Sequence, residues 1–165
     1  MPPNPSSITR IASLKTVGDF RRHLATLGLE LPCDEAILTR DTSPLAQPLP
    51  QTPINGKTIS NRIAIHPMEG WDGLFNGVLS EEVQRRWRHF GESGAGLIFG
   101  GEAMAVRPDG RANPHQLLCT RDQIGNLTRL REQLVAAHRA RYGNADSLVI
   151  GFQLTHSGRF AKPNE

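Results

Sequence analysis

The chain has 165 residues, of which 38% are hydrophobic and 21% charged, and this suits one ordinary domain of ~100–200 residues. That composition excludes collagen-like, coiled-coil and strongly disordered classes, and with no run of ~18 apolar residues no membrane partner is expected. Nineteen basic against sixteen acidic residues leave a net charge of only +3, with the arginines dispersed, so no nucleic-acid partner is expected either.

The opening MPPNPSSITRIAS is rich in Pro, Ser and Asn and reads as a mobile tail. It lacks an apolar core of signal-peptide length, and Cys33 and Cys119 show no disulfide or metal-ligand spacing, so a cytoplasmic protein with two free thiols is expected. A first helix starts near Thr16, which with Asp19 resembles a capping box. Val17, Phe20, Leu24 and Leu27 share one face, and Gly28 is the stop. Five prolines between Leu31 and Pro53 mark a linker or surface wrap. Residues 1–50 therefore form an N-terminal extension. Ile54-Asn55-Gly56-Lys57-Thr58-Ile59 then predicts a small hairpin with Asn-Gly at its turn.

From Asn61 the pattern alternates. Arg62–Pro67 predicts a short strand. Ser80 caps a helix with Glu81 and Glu82 in its first turn, Val83, Trp87 and Phe90 as its apolar stripe, and Gly91 or Gly94 as its end. Gly96–Gly101 predicts a second strand, followed by a loop from Arg107 to His115. Thr120 and Gln123 suggest a capping box on a long helix whose apolar face holds Ile124, Leu127, Leu130, Leu134 and Ala137. Ser147–Leu154 predicts a third strand. A β-α-β-α-β series with strands apolar on both faces predicts an α/β fold with a parallel sheet, either doubly wound or part of an eightfold barrel. The first strand runs into Pro-Met-Glu-Gly-Trp-Asp-Gly, which has the wrong spacing for a Rossmann phosphate loop.

Polar residues gather where the three strands end: His66, Glu69, Trp71 and Asp72, then Glu102 and Arg107, then Gln153, Thr155, His156 and Arg159. In α/β proteins this edge binds ligands. Competing chemistries have less support. Glu69 and Asp72 stand too close in sequence for a typical glycosidase pair. His66, His115 and His156 have no metal-ligand spacing, and Ser157 lacks a nucleophile elbow.

Three of these segments resemble one family. Asn61-Arg62-Ile63-Ala64-Ile65-His66-Pro67-Met68, Gly94-Ala95-Gly96-Leu97-Ile98 with Gly101-Glu102-Ala103, and Gln153-Leu154-Thr155-His156-Ser157-Gly158-Arg159 are similar to the first three strand motifs of the old yellow enzyme family. These are FMN-dependent NADH:flavin oxidoreductases and ene-reductases. The motifs occur in family order over roughly residues 45–163, and the Asn-Gly hairpin matches the one that closes the family's barrel bottom.

The resemblance implies that residues 51–165 form about three βα units of a TIM (β/α)8 barrel that binds FMN. NADH or NADPH would be the electron donor, and an activated C=C bond of a small molecule the acceptor. Pro67 and Met68 would present backbone to the isoalloxazine ring. Glu69 stands where relatives carry Thr or Cys near flavin N5 and O4. Ala103 would let the ring approach the backbone, Gln153 would hydrogen-bond the pyrimidine edge, and Trp71 would line the substrate side. His156 and Arg159 would be structural. The family's catalytic His, His/Asn and Tyr and its phosphate loop would lie beyond Glu165, so the chain is expected to be the inactive beginning of a longer flavoprotein. The alternative expectation is a non-catalytic α/β piece, or an unrelated barrel enzyme without flavin.

Overall fold

The computed structural model describes residues 8–50 and 53–164, which divide into two compact units, one within Met1–Arg40 and one within Asp41–Glu165. Residues 1–7 of the expected tail lie outside the described residues; beyond them, Ile11–Ser13 forms a single 3-10 turn.

In the first unit α1 spans Val17–Thr26. Thr16 Oγ1 accepts from the Asp19 N–H and the Asp19 carboxylate accepts from the Thr16 N–H, both at 3.0 Å, so the capping box forms as the sequence predicts. Gly28 follows the helix with φ +65°, the left-handed conformation that ends helices. Leu24 is buried, whereas Leu27 is exposed.

In the second unit the Asn-Gly turn carries positive φ at both Asn55 and Gly56, and Ile54 and Lys57 exchange two backbone hydrogen bonds of 2.9 Å. Then come β1 (Ala64–Ile65), α2 (Glu81–Glu92), β2 (Leu97–Ala105), α3 (Ile124–Tyr142) and β3 (Val149–Thr155). The sheet is parallel, in the order β1-β2-β3. Its apolar core joins Val83 and Trp87 of α2, Leu130 and Leu134 of α3, and Ile98 and Met104 of β2. Both helices thus cover one face of the sheet. The parallel α/β reading of the sequence holds at this level.

Local expectations differ in three places. β1 is two residues long, because Asn61 turns the preceding chain: its side chain accepts from Gly96 N–H at 3.0 Å and donates to Gly94 O at 2.8 Å. The Thr120–Gln123 capping box does not form. Arg121–Gln123 is a 3-10 turn, and Gln123 spends its side chain on Asp122 and Asn126. Ile124, expected in the core, consequently sits in the first residue of α3 and is 58% exposed.

The third difference matters most for function. β2 runs on through Glu102 to Ala105. Between Phe99 and Ala103 it advances four positions while β3 advances two, from Gly151 to Gln153. The bulge is possible because Gly100 adopts φ +54°, and a Cβ there would lie 2.5 Å from the Gln153 N atom. Glu102, expected at an open strand end, is instead drawn fully inside.

Candidate functional site at the strand ends

The carboxyl ends of β1, β2 and β3 stand side by side. The Ala103 N–H donates to Met68 O at 3.0 Å, and Ala103 pairs in register with Gln153. The three sequence motifs therefore meet along one edge, although Met68 of the first and Gln153 of the last are far apart in sequence. Lys57 donates to Ala145 O at 3.0 Å, just ahead of β3, and this places the Asn-Gly hairpin at the opposite, amino end of the strands.

The sequence-selected residues occupy different environments on this edge. Pro67 is half-buried, and Met68, Glu69 and Trp71 are exposed. Ala103 is buried, with its N–H on Met68 and its carbonyl accepting from Gln116 at 2.8 Å. Gln153 is exposed at the edge. His66, His156 and Arg159 are exposed, and the His156 ring lies against Gly110, where a Cβ would come within 2.5 Å of it. Arg107 pairs with Asp109 in the following loop rather than facing the edge residues.

Beneath the edge lies an ion triad. Arg86 of α2 donates to both Asp72 oxygens at 2.8 Å, to Glu102 at 2.6 Å and to Gly101 O at 3.0 Å. The other Glu102 oxygen accepts from the Gly70 N–H at 3.0 Å. Burial pushes the Glu102 carboxyl up, and this outweighs the downward pull of Arg86 and of the Gly70 N–H. Charge and hydrogen bonding thus fasten the loop after β1 to β2 and α2.

A second set of polar side chains, buried except for the half-buried His115, fixes that loop from the other side. Asn113 donates to Gly70 O at 3.2 Å, His115 Nδ1 to Gly73 O at 2.7 Å, and Arg111 to Phe75 O at 2.9 Å. Gln116, fully buried, bridges Ala103 O and the Thr155 hydroxyl, and accepts from the Ala112 N–H at 2.6 Å. The strand-end loops are therefore held mainly by side-chain hydrogen bonds to backbone, as buried polar groups require.

Sequence reasoning missed Arg86, Arg111, Asn113 and Gln116. Arg86 left a usable signal: it stands three residues after Val83 and four before Phe90, a charge on the apolar stripe of α2. The other three lie in a Pro- and Asn-containing loop with no periodicity to betray burial.

No model of a known protein family matches the chain, and no curated protein matches it.

Proposed function

We propose that this edge is the flavin face of an FMN-dependent NAD(P)H oxidoreductase, and that β1–β3 are the first three strands of a TIM (β/α)8 barrel. The observation that carries the reading is the convergence of Met68, Ala103 and Gln153, one from each family-like motif, on one strand-end edge. Three further features support it. The hairpin lies at the amino ends of the strands, where the resembled family closes its barrel. Phe99 of β2 is 46% exposed although its neighbour Ile98 is fully buried under the helices, whereas parallel sheets are ordinarily covered on both sides. Among the described residues β1 and β3 each pair on one side only, as strands of an incomplete sheet do.

The residues present fit the cofactor. The Gln153 side-chain amide makes no hydrogen bond within the described protein and offers both a donor and an acceptor, the complement of a flavin pyrimidine edge. Bound FMN supplies hydride transfer from NADH or NADPH to an activated C=C bond. The protein's part would be to present the Pro67–Met68 backbone and the small Ala103 to the ring, to orient it through Gln153, to set its charge environment with Glu69, and to face the substrate with Trp71.

Flavin fluorescence tests this. Added chain should quench FMN emission saturably, with a Kd in roughly the 10 µM–1 mM range because one face of the site is open, and Gln153→Leu should weaken binding about ten-fold. The flavin should not survive gel filtration. Absence of saturable quenching, or an unchanged Kd in Gln153→Leu, overturns the proposal.

A further inference from the structure

We infer that the cavity between the Asn55–Gly56 hairpin, α3 and the start of β3 binds a short aliphatic carboxylate. The cavity holds about 230 Å³ and lies at the amino ends of the strands, away from the strand-end edge. Three cationic side chains, Lys57, Arg131 and Arg139, line it, and no carboxylate does. Glu132 and Asp146, next in sequence to Arg131 and Ala145, are not in its wall.

The fold brings these cations together from two directions. Arg131, Val135 and Arg139 follow at four-residue spacing, so α3 turns all three to one side. The hairpin supplies Lys57, whose ammonium is fixed by its 3.0 Å hydrogen bond to Ala145 O. An ammonium has three protons, so that bond leaves two to spare. Among the described residues no ion pair engages Lys57, Arg131 or Arg139, whereas Arg21, Arg22, Arg86, Arg88 and Arg107 are all paired. A concave site lined by one sign of charge focuses its field and draws in a counter-ion. Guanidinium groups match a carboxylate in particular, through two parallel hydrogen bonds.

The rest of the wall sets the other end of the ligand. Ala145, Leu148 and Val149 are buried, and Val135 and Ile150 are half-buried. These side chains are aliphatic and no aromatic residue joins them, so the cavity rewards a saturated chain over a sugar or an inorganic ion. At ~30 Å³ per water it has room for roughly seven waters, or for an acid of about eight non-hydrogen atoms such as hexanoate. The inference goes beyond the proposed function and neither uses nor requires the flavin.

The test is a backbone-amide NMR titration of the full chain, without FMN, using hexanoate, 1-hexanol and acetate. Hexanol keeps the chain and lacks the charge; acetate keeps the charge and lacks the chain. We expect saturable hexanoate binding with a Kd of about 1–10 mM, at least five-fold tighter than either control. Its shifts should centre on Lys57, Val135 and Ile150, and its affinity should fall as NaCl rises from about 0.01 M to about 1 M. The double variant Arg131→Gln with Arg139→Gln should bring hexanoate within two-fold of hexanol. Both arginines are exposed on α3 and glutamine is a good helix former, so the fold should survive, as circular dichroism would check. Equal affinities for hexanoate and hexanol, no saturation, shifts centred on Phe99 and Gln153, or an unchanged preference in the double variant overturns the inference. The wild-type comparison decides even where the variant fails to fold.

Discussion

Arg86 and Glu102 form an ion pair of 2.6 Å in which the carboxylate is entirely withdrawn from solvent and the Arg86 side chain is half-buried. The pair ties α2 to β2, and through the Gly70 N–H it also ties the loop carrying Glu69 and Trp71. Removing one member leaves the other buried and unpaired. Arg86→Leu should therefore cost about 3–5 kcal/mol in urea unfolding. A loss below about 1 kcal/mol would show that the triad does not hold the loop.

The same carboxyl makes stability depend on pH in a defined direction. Its folded value is raised above the ordinary 4.5 by burial, so the folded state holds this proton more firmly than the unfolded chain. That contribution is fully present below pH 4.5 and is lost as pH rises through the folded value. Relative to Glu102→Gln, which cannot titrate, wild type should lose stability as pH rises above about 4.5. A stability difference that stays constant above that pH would contradict this.

Gly91 lies inside α2, where replacing glycine by alanine ordinarily stabilises by about 0.5–1 kcal/mol. Here a Cβ would sit 2.3 Å from Leu134 O of α3. The sign should reverse: Gly91→Ala should cost about 1–3 kcal/mol by forcing the two helices apart. Stabilisation would show that the helices do not approach this closely.

Glu69 places a carboxylate where the resembled family carries a neutral or weakly acidic donor. On the proposed flavin reading, its negative charge would oppose formation of the reduced, anionic flavin. Glu69→Gln should therefore raise the midpoint potential of FMN measured in the presence of the chain. No change in potential would place Glu69 away from the ring.

Much of the fold was legible because it rests on local rules. The Thr16–Asp19 box, the Ser80 cap, the Asn55–Gly56 turn and the three apolar strands each follow from spacing or turn chemistry, and the Ser80 hydroxyl does accept from the Val83 N–H at 3.1 Å. The site was legible only along its rim. Glu69, Trp71 and Gln153 were selected as strand-end polar or aromatic groups, whereas Arg111, Asn113 and Gln116, which hold those strand ends, act through long-range contacts to backbone carbonyls that no sequence period encodes. Glu102 shows the limit most sharply. It was read as an open-edge carboxylate, and the Gly100 bulge turned it inward. Thr120 failed for a different reason: the 3-10 turn after it spent the geometry its cap needed.

The central claim is that a flavin ring lies across the carboxyl ends of β1, β2 and β3, and backbone-amide NMR of the chain titrated with FMN tests it most directly. The account expects the largest shifts at Met68, Glu69, Ala103 and Gln153, with α1 and the Asn55–Gly56 turn unmoved. Shifts centred instead on the groove between α2 and α3, around Arg88 and Ala137, or no shifts at all, would contradict it.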